Sequence, residues 1–285
     1  MIRRPAVAGM FYELDPNRLK ENIKKCFLHK LGPGKLPEEI GNLTPIVLGL
    51  VVPHAGYIYS GATAAHSYFK LSLEKKPDVF IILGPNHTPL GSGISLMKSG
   101  IWKTPLGDVP IDSSVAEAIL EADEGEIIDA ESTGHQAEHS IEVQLPFLQF
   151  LYKDEFKFVP ISMMLQDVRT AKEVGQAIAQ GVKNSGLNAV IIASTDFSHY
   201  EPHETAQEKD RKAIDAILEL NEEKLYDTVS SLSISMCGYG PVMAMLTATK
   251  LLGSKDAKLL SYTTSGDTSG NYGQVVGYAA IEITK

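Results

Sequence analysis

The chain alternates short apolar runs with segments in which apolar residues recur every three or four positions. Three runs, Ile46–Pro53, Asp78–Gly84 and Ala189–Thr195, are rich in β-branched and apolar residues. Continuous apolar runs of this length, bounded by glycine or proline, are typical of strands buried on both faces of a sheet. Segments such as Val168–Lys183 have instead the period of an amphipathic helix. The alternation predicts one layered α/β/α domain with a largely parallel or mixed central sheet.

The same periodicities and the positions of capping residues predict the remaining elements. Strands are expected at Ile94–Met97, Phe156–Ser162, Leu259–Thr264 and Val275–Ile283. Helices are expected from Asp15 or Asn17 to about Cys26, from about Gly61 to Leu73, from Asp112 or Ser113 to about Ala122, over Glu138–Tyr152, from Pro202 to Leu220, from Glu222 onward, and from about Gly240 to Leu252. Pro146 implies a kink or break in the helix over Glu138–Tyr152. Leu31–Thr44 is predicted to be a surface loop, and no linker or repeat divides residues 1–285.

Composition narrows the class of protein. The 285 residues carry a formal net charge of −9, which argues against nucleic acid as a partner because phosphate binding needs clustered lysine and arginine. Only Cys26 and Cys237 are present, far apart in the sequence, so a disulfide framework is not expected and a reducing cytoplasm is the simpler location. We expect no signal peptide, and no stretch approaches the ~20 apolar residues of a membrane span.

Histidines follow the three apolar runs. His54 comes directly after the first run, His87 follows the second, and Asp196 and His199 follow the third. Ligands of open α/β sheets collect outside the carboxyl ends of the strands. We therefore expect the four side chains to converge on one site, although three of them have a structural alternative: His54 in a tight turn, His87 on a surface loop, and Asp196 as a helix cap.

Two further residues are candidates on weaker patterns. Cys237 stands directly before the predicted helix from Gly240, where the helix dipole and free N–H groups would stabilise a thiolate. By contrast, Cys26 lies on an amphipathic helix and is expected in the core. His139 shares a predicted helical face with His135 and Glu142, which favours a role in proton transfer or support of the site as much as a structural role.

The other histidines and motifs indicate no chemistry. His203 is expected to be solvated, and His29 and His66 have no supporting context. The sequence contains no P-loop, no complete GxGxxG after a strand and no GxSxG or HExxH motif. The run Thr263–Gly273 could cradle an anion through backbone amides, but a turn between the closing strands explains it better.

Several sequence blocks together resemble the Memo family. They are RPAVAGMFY at residues 4–12, PHAGY at 53–57, GPNH at 84–87, EHSIE at 138–142, STDFSH at 194–199, CGYGP at 237–241, and a closing GYA that begins at 277. Each block is modest evidence alone, whereas their joint order over nearly the whole chain is specific.

The resemblance implies a fold similar to that of class III extradiol dioxygenases, which hold non-haem iron in an α/β sheet. It implies that His54, His87 and Cys237 match metal ligands, that Asp196 and His199 match pocket residues, and that His139 lies near the pocket. Those dioxygenases use two histidines and a carboxylate, so a cysteine here departs from their pattern. A soft thiolate favours copper(I), zinc or iron over magnesium or calcium. The resemblance also implies radical-SAM and AMMECR-type protein partners, or binding of phosphotyrosine-type peptides.

Three functions follow as hypotheses. The first is a redox or oxygenase-like metalloprotein with iron or copper on His54, His87 and Cys237, in which Asp196 orients His199 for proton exchange. The second is a non-catalytic adaptor that binds a small molecule, a peptide or a partner protein in the same pocket. The third is a zinc hydrolase, because two histidines and a thiolate also match a catalytic zinc set.

Overall fold

The structure is a computed structural model that describes residues 1–38, 40–124, 126–153 and 155–285. The strands are β1 (Ile2–Arg3), β2 (Val47–Val52), β3 (Val79–Pro85), β4 (Ile94–Leu96), β5 (Ile101–Thr104), β6 (Gly107–Pro110), β7 (Asp129–Ala130), β8 (Phe158–Met163), β9 (Ala189–Ser194), β10 (His199–Glu201), β11 (Asp256–Thr264) and β12 (Val275–Thr284). The helices are α1 (Pro16–Leu28), α2 (Tyr57–Ser72), α3 (Ser113–Glu121), α4 (Leu145–Tyr152), α5 (Val168–Ser185), α6 (His203–Leu218), α7 (Glu222–Ser231), α8 (Tyr239–Leu251) and α9 (Ser265–Ser269).

The three apolar runs form adjacent parallel strands in a mixed sheet that has nine strands among the described residues. Its order is β10-β12-β2-β9-β3-β8-β4-β7, with β11 paired to β12. The strands β2, β9, β3 and β8 are parallel, whereas β12 and β4 run antiparallel to their neighbours β2 and β8. The predicted α/β fold with a mixed central sheet is therefore confirmed.

Helices cover both faces of the sheet. Along β9, Ile191 packs with α3, α5 and α8 on one face, while Val190 and Ile192 pack with α1, α2 and α4 on the other. Successive side chains of a strand point to opposite faces, so a strand covered on both sides must be apolar at every position. This double burial explains why the central runs show no polar alternation.

Capping residues set several helix boundaries where the sequence predicts them. The carboxylate of Asp15 accepts from the N–H groups of Asn17 and Arg18 at the start of α1. The carboxylate of Asp112 accepts from the N–H of Val115 at the start of α3. Such caps satisfy N–H groups that have no partner within the helix.

The predicted helix over Glu138–Tyr152 is wrong in its first half. Only α4 is α-helical there, after short 3₁₀ turns at Thr133–His135 and Glu142–Gln144. The Glu138 carboxylate accepts from the N–H groups of His139 and Ser140 at 2.7 and 2.8 Å, which removes these donors from a helical ladder. Pro146 occupies the first turn of α4, so it begins a helix rather than kinking one.

Other predictions differ in extent. Helix α2 begins four residues before Gly61, because Tyr57 donates its N–H to Phe11 O at 2.8 Å. The turn predicted between the closing strands contains α9. The pattern also missed a small sheet of β1, β5 and β6. The predicted loop Leu31–Thr44 has no helix or strand in its described part, and residue 39 lies outside the described residues.

Within the part of the chain that the structure describes, none of the helices combines the length and apolar character needed to cross a bilayer.

Candidate metal centre and cavity

The carboxyl ends of three neighbouring strands meet at one edge of the sheet. In the order β2, β9, β3, these strands lead into His54, Asp196 and His87. Cys237 reaches the same edge from the turn before α8. Its N–H donates to Asp196 O at 3.2 Å, and its Sγ accepts from the N–H of Asp196 at 3.2 Å. Two backbone-linked contacts thus fix the cysteine beside the end of β9.

Two imidazoles and a thiol come together at this edge. Donor atoms of His54, His87 and Cys237 all lie within 4.8 Å of one another. Cys237 Sγ is 3.2 Å from His54 Nε2, and the His54 and His87 ring centroids are 5.2 Å apart. Ligands of a tetrahedral ion with bonds of 2.0–2.3 Å lie roughly 3.3–3.8 Å apart. The three donors can therefore reach a common ion after small movements.

Buried hydrogen bonds fix the protonation of the His54 ring. Ser194 Oγ donates to Ser140 O at 2.7 Å, because a carbonyl oxygen can only accept. Ser194 Oγ accepts from Gln144 Nε2 at 2.8 Å, and Tyr68 donates to the other end of the Gln144 amide at 2.7 Å. The hydroxyl proton is thus committed, so His54 Nδ1, 2.9 Å from Ser194 Oγ, is the donor. The Nε2 lone pair of His54 consequently faces Cys237.

Glu138 places a proton on Nδ1 of His87, as Ser194 does for His54. The buried carboxylate accepts from His87 Nδ1 at 3.0 Å and also from the His87 N–H. Burial alone would raise the pKa of Glu138, but the hydrogen bond and charge of His87 and further donors lower it to about 2. An ionised carboxylate can only accept, so Nδ1 of His87 carries a proton, and in the neutral ring Nε2 is free to bind an ion.

Ser235 rather than Asp196 holds the His199 ring. Ser235 O is 2.8 Å from His199 Nδ1, and Ser235 Oγ accepts from the His199 N–H at 2.7 Å. Because the carbonyl only accepts, Nδ1 of His199 carries a proton, and the neutral ring therefore has its lone pair on Nε2. Asp196 Oδ1 instead accepts from the His54 N–H at 2.8 Å, and its Oδ2 lies 4.0 Å from His54 Nε2. The structure therefore differs from the expected Asp196–His199 hydrogen bond.

His139 lies against the two candidate ligands. Its ring centroid is 4.6 Å from that of His87 and 5.4 Å from that of His54, and its Nδ1 is 3.3 Å from Glu138 Oε1. Phe11 covers the ring at 4.7 Å. Because residues 138–141 are not helical, the predicted shared helical face of His135 and His139 does not exist.

His87, Glu138 and His139 form a second group with mutually close donor atoms. Glu138 Oε1 in this group already accepts from three groups, the His139 N–H, the Ser140 N–H and His87 Nδ1. Because its lone pairs are already occupied by these donors, this carboxylate is better suited to orient neighbouring groups than to bind an ion. We therefore assign Glu138 to the support of His87.

Burial dominates the electrostatics of the site. Burial lowers the pKa of His54 well below its usual value, and the nearby imidazoles of His139 and His87 lower it further. Burial also lowers the pKa of His139. It raises the pKa of Asp196 to about 6, although the His54 N–H opposes this. Neutral imidazoles with free lone pairs are the form that binds metal ions.

The thiol of Cys237 does not follow the expectation from its helix position. Burial raises its pKa, and the Asp196 carboxylate raises it further. Cys237 also lies two residues before Tyr239, the first residue of α8, with Gly238 as the cap. In the absence of a cation, desolvation therefore outweighs the helix dipole at this thiol.

An open cavity of about 630 Å³ lies over the histidines. His54, His87, His139, Asp196 and His199 line it. Its walls also include aromatic residues that sequence analysis missed: Phe11, Tyr59, Tyr200 and Tyr278. Phe11 belongs to the block at residues 4–12, and Tyr200 follows His199. Their proximity in sequence to these candidate features is the signal from which they could have been predicted. Ser265 and Ser269 of α9 form part of the wall, which places the Thr263–Gly273 run at the site.

The remaining histidines and Cys26 lie in other surroundings. His135 is fully buried against Trp102 and contacts Ser95 O at 3.0 Å. His203, predicted to be solvated, is half-buried with Nδ1 2.9 Å from Thr264 Oγ1. Cys26 is buried in the core as predicted.

The fold and this donor set define a mixed α/β protein with a histidine–cysteine cluster at the carboxyl edge of its sheet. The family model described as "Memo-like protein" matches residues 3–282, and the chain belongs to this family. MEMO1 family proteins of Methanopyrus kandleri and Methanocaldococcus jannaschii are 51% and 53% identical to it, over 99% and 98% of this chain and 98% of each relative. A third relative, from Sulfolobus acidocaldarius, is 48% identical over 99% of both chains.

A solved structure supports the fold independently. The crystal structure of an uncharacterized protein from Escherichia coli K12 aligns with a TM-score of 0.55, covering 82% of this chain and 99% of that chain. At 14% sequence identity, this likeness bears on the fold alone.

Proposed function

We propose that this protein is a metal-dependent redox protein in which His54, His87 and Cys237 hold iron or copper. The observation that carries the proposal is the approach of three donors, separated by up to 183 residues in the chain, to within 4.8 Å of one another. Two neutral imidazoles and a thiolate are a donor set for iron, copper or zinc rather than for magnesium or calcium. When bound, iron or copper would supply electron transfer and an open coordination position for a substrate.

The chain's own residues would orient the substrate and move protons. His199 lines the cavity, and in its neutral form, with its Nδ1–H donating to Ser235 O, its Nε2 can accept a proton from a substrate hydroxyl or amine. Asp196 contacts both His54 and Cys237: its carboxylate accepts from the His54 N–H, and its own N–H donates to Cys237 Sγ. His139, packed between Phe11 and His87, is the second group placed to exchange a proton with a molecule in the cavity.

Metal quantification after anaerobic purification tests the proposal. We expect close to one iron or copper per chain in the unmodified protein, and loss of the ion in His54→Ala, His87→Ala and Cys237→Ser. His29→Ala and Cys26→Ala are matched controls, because both residues lie outside the candidate centre. Undiminished metal in both His54→Ala and His87→Ala would overturn the proposal.

The same preparations separate the two alternatives. Stoichiometric zinc, with behaviour indifferent to oxygen, would favour the hydrolase, because the donor set also suits catalytic zinc. An adaptor is favoured by the exposed aromatic residues at the cavity, Tyr59 and Tyr200, which are 43% and 73% exposed. A protein partner, including the radical-SAM and AMMECR-type partners that the resemblance implies, would then bind a metal-depleted variant at full strength.

A further inference from the structure

We infer that the cavity over His54 and His87 takes a planar organic molecule that carries no negative charge. The inference rests on the proposed function for the site and names the class of molecule that the site would accept. Its basis is the inventory of charged and aromatic side chains in the cavity wall.

The charged groups of the wall do not suit an anion. Among the described residues that line the cavity, Asp196 is the sole formally charged side chain other than histidine, and neither lysine nor arginine occurs. The buried carboxylate of Glu138 lies directly behind His87. Binding sites for carboxylates and phosphates generally provide arginine, lysine or several backbone N–H groups.

A bound divalent ion would not reverse this charge balance. Two positive charges on the ion are matched by the Cys237 thiolate and the Asp196 carboxylate, which leaves the centre formally neutral. An anionic ligand would therefore lose its hydration without gaining a compensating charge.

Aromatic side chains in the cavity wall provide flat surfaces for a ligand. Tyr59 and Tyr200 stand at its mouth, while Phe11 and Tyr278 are more deeply placed. Tyr200 has a φ of +59°, a left-handed backbone conformation that is costly for a bulky residue. This conformation occurs at a residue whose exposed ring lines the cavity, next to His199. Flat surfaces of this kind favour stacking against a ring or another planar group.

Polar uncharged groups also line the cavity. Ser265, Ser269, Asn271 and Gln274 line the cavity from α9 and the segment that follows it. Hydroxyl and amide groups can bond to hydroxyl, amine or amide groups of a ligand without requiring a charge. The volume of about 630 Å³ lies in the range of small-molecule sites.

Three small phenols of nearly equal shape test the charge preference: tyrosol is neutral, tyramine is cationic and 4-hydroxyphenylacetate is anionic. Their affinities for the full chain as purified are measured by ligand-observed NMR titration, with metal content recorded for each batch. We expect tyrosol and tyramine to bind at least about tenfold more tightly than 4-hydroxyphenylacetate. Equal or tighter binding of the anion overturns the inference, as does failure of all three to bind at about 10 mM.

A charge introduced into the wall provides the second arm. Gln274 is exposed, so Gln274→Lys adds a cation to the cavity without disturbing the core. We expect this variant to bind 4-hydroxyphenylacetate about tenfold more tightly than the unmodified chain. Gln180→Lys, on α5 beside a different cavity, is the matched control and should leave all three affinities unchanged. An anion affinity that Gln274→Lys does not raise counts against the inference.

A ring removed from the mouth provides the third arm. Tyr200→Gly also relieves the left-handed backbone, so the variant should remain folded. We expect its affinity for tyrosol to fall about fivefold, and an unchanged affinity would contradict the stacking role. A batch that contains no metal but shows the charge preference would leave this inference standing while overturning the proposed metal centre.

Discussion

The guanidinium of Arg3 forms an ion pair with the carboxylate of Glu142, 139 residues later in the chain, and both side chains are fully buried. Glu142 also accepts from the N–H of Ala6 at 2.7 Å and from the Tyr12 hydroxyl at 2.6 Å. Arg3 in turn donates to Glu138 O at 2.5 Å and stacks over Trp102. The N-terminal segment therefore holds the segment that carries Glu138 and His139 in a non-helical form.

Loss of this ion pair should destabilise the protein strongly. Arg3→Met removes the donors to Glu142 and Glu138 O but keeps an apolar chain in place. Because a buried carboxylate is left without its cation, we expect the free energy of unfolding to fall by about 3–5 kcal/mol. Urea denaturation measures this change. Arg18→Met, on the exposed face of α1, should change it by less than about 0.5 kcal/mol, and equal effects of the two substitutions would contradict the assignment.

Ser194 should determine which nitrogen of His54 carries the proton. In Ser194→Ala the acceptor at 2.9 Å from Nδ1 is removed, so the ring should lose its uniform Nδ1–H form. Nitrogen-15 NMR of the metal-free protein reports the two ring nitrogens directly. We expect distinct signals for protonated Nδ1 and unprotonated Nε2 in the unmodified chain, and averaged signals in the variant.

A second buried serine provides the control for this substitution. Within the described residues, the hydroxyl of Ser162 on β8 has no hydrogen-bond partner. Ser162→Ala should leave both the His54 signals and the free energy of unfolding nearly unchanged. Ser194→Ala should cost about 1–3 kcal/mol, because it leaves buried polar groups without partners. A persistent Nδ1–H signal in Ser194→Ala would show that another group fixes the ring.

Glu138 should control metal affinity without being a ligand. Glu138→Gln keeps the shape of the side chain but removes the charge that orients His87 through Nδ1. Outer groups of this kind typically contribute 10–100-fold to affinity, so we expect the metal dissociation constant to rise by about that factor. Competition with a chelator measures the constant. Glu121→Gln, exposed at the end of α3, is the control, and an equal affinity in both variants would contradict this role.

The buried His135 should make stability depend on pH. Burial lowers its pKa to about 4, below the usual value of 6.5. Between these values the unfolded chain binds more protons than the folded one, so the free energy of unfolding falls as pH falls from about 6.5 to about 4. The difference corresponds to at most about 3 kcal/mol.

Replacement of His135 tests this dependence. His135→Gln keeps a donor for Ser95 O but cannot titrate. Urea denaturation at several pH values should show a shallower loss of stability below pH 6.5 in the variant. His54 and His139, whose pKa values burial also lowers, should leave a residual slope. Parallel curves for the two proteins would show that His135 does not contribute.

The local sequence pattern was sufficient to predict the central sheet and part of the candidate site. The runs before His54, His87 and Asp196 are apolar over most of their length because both faces of the sheet are covered, and parallel neighbours bring their ends together. The placement of these three residues at one edge could thus be predicted from their distance to a strand end. For Cys237 the sequence predicted only a position before a helix. Its approach to His54 could not be predicted, because it depends on contacts with the end of β9.

Long-range contacts explain what local pattern could not predict. Residues 138–141 have the spacing of a helical face, yet Arg3 and the Glu138 carboxylate bind the groups that a helix would use. The partner of His199 is Ser235, 36 residues away, whereas the spacing of Asp196 suggested a closer one. Neither contact leaves a periodic signal in the sequence.

X-ray absorption spectroscopy of the metal-loaded protein tests the central claim most directly. If His54, His87 and Cys237 hold the ion, the first shell should contain one sulfur at about 2.3 Å and two nitrogens at about 2.0–2.1 Å. The sulfur contribution should disappear in Cys237→Ser and persist in Cys26→Ala. A first shell of nitrogen and oxygen alone in the unmodified protein would contradict the claim.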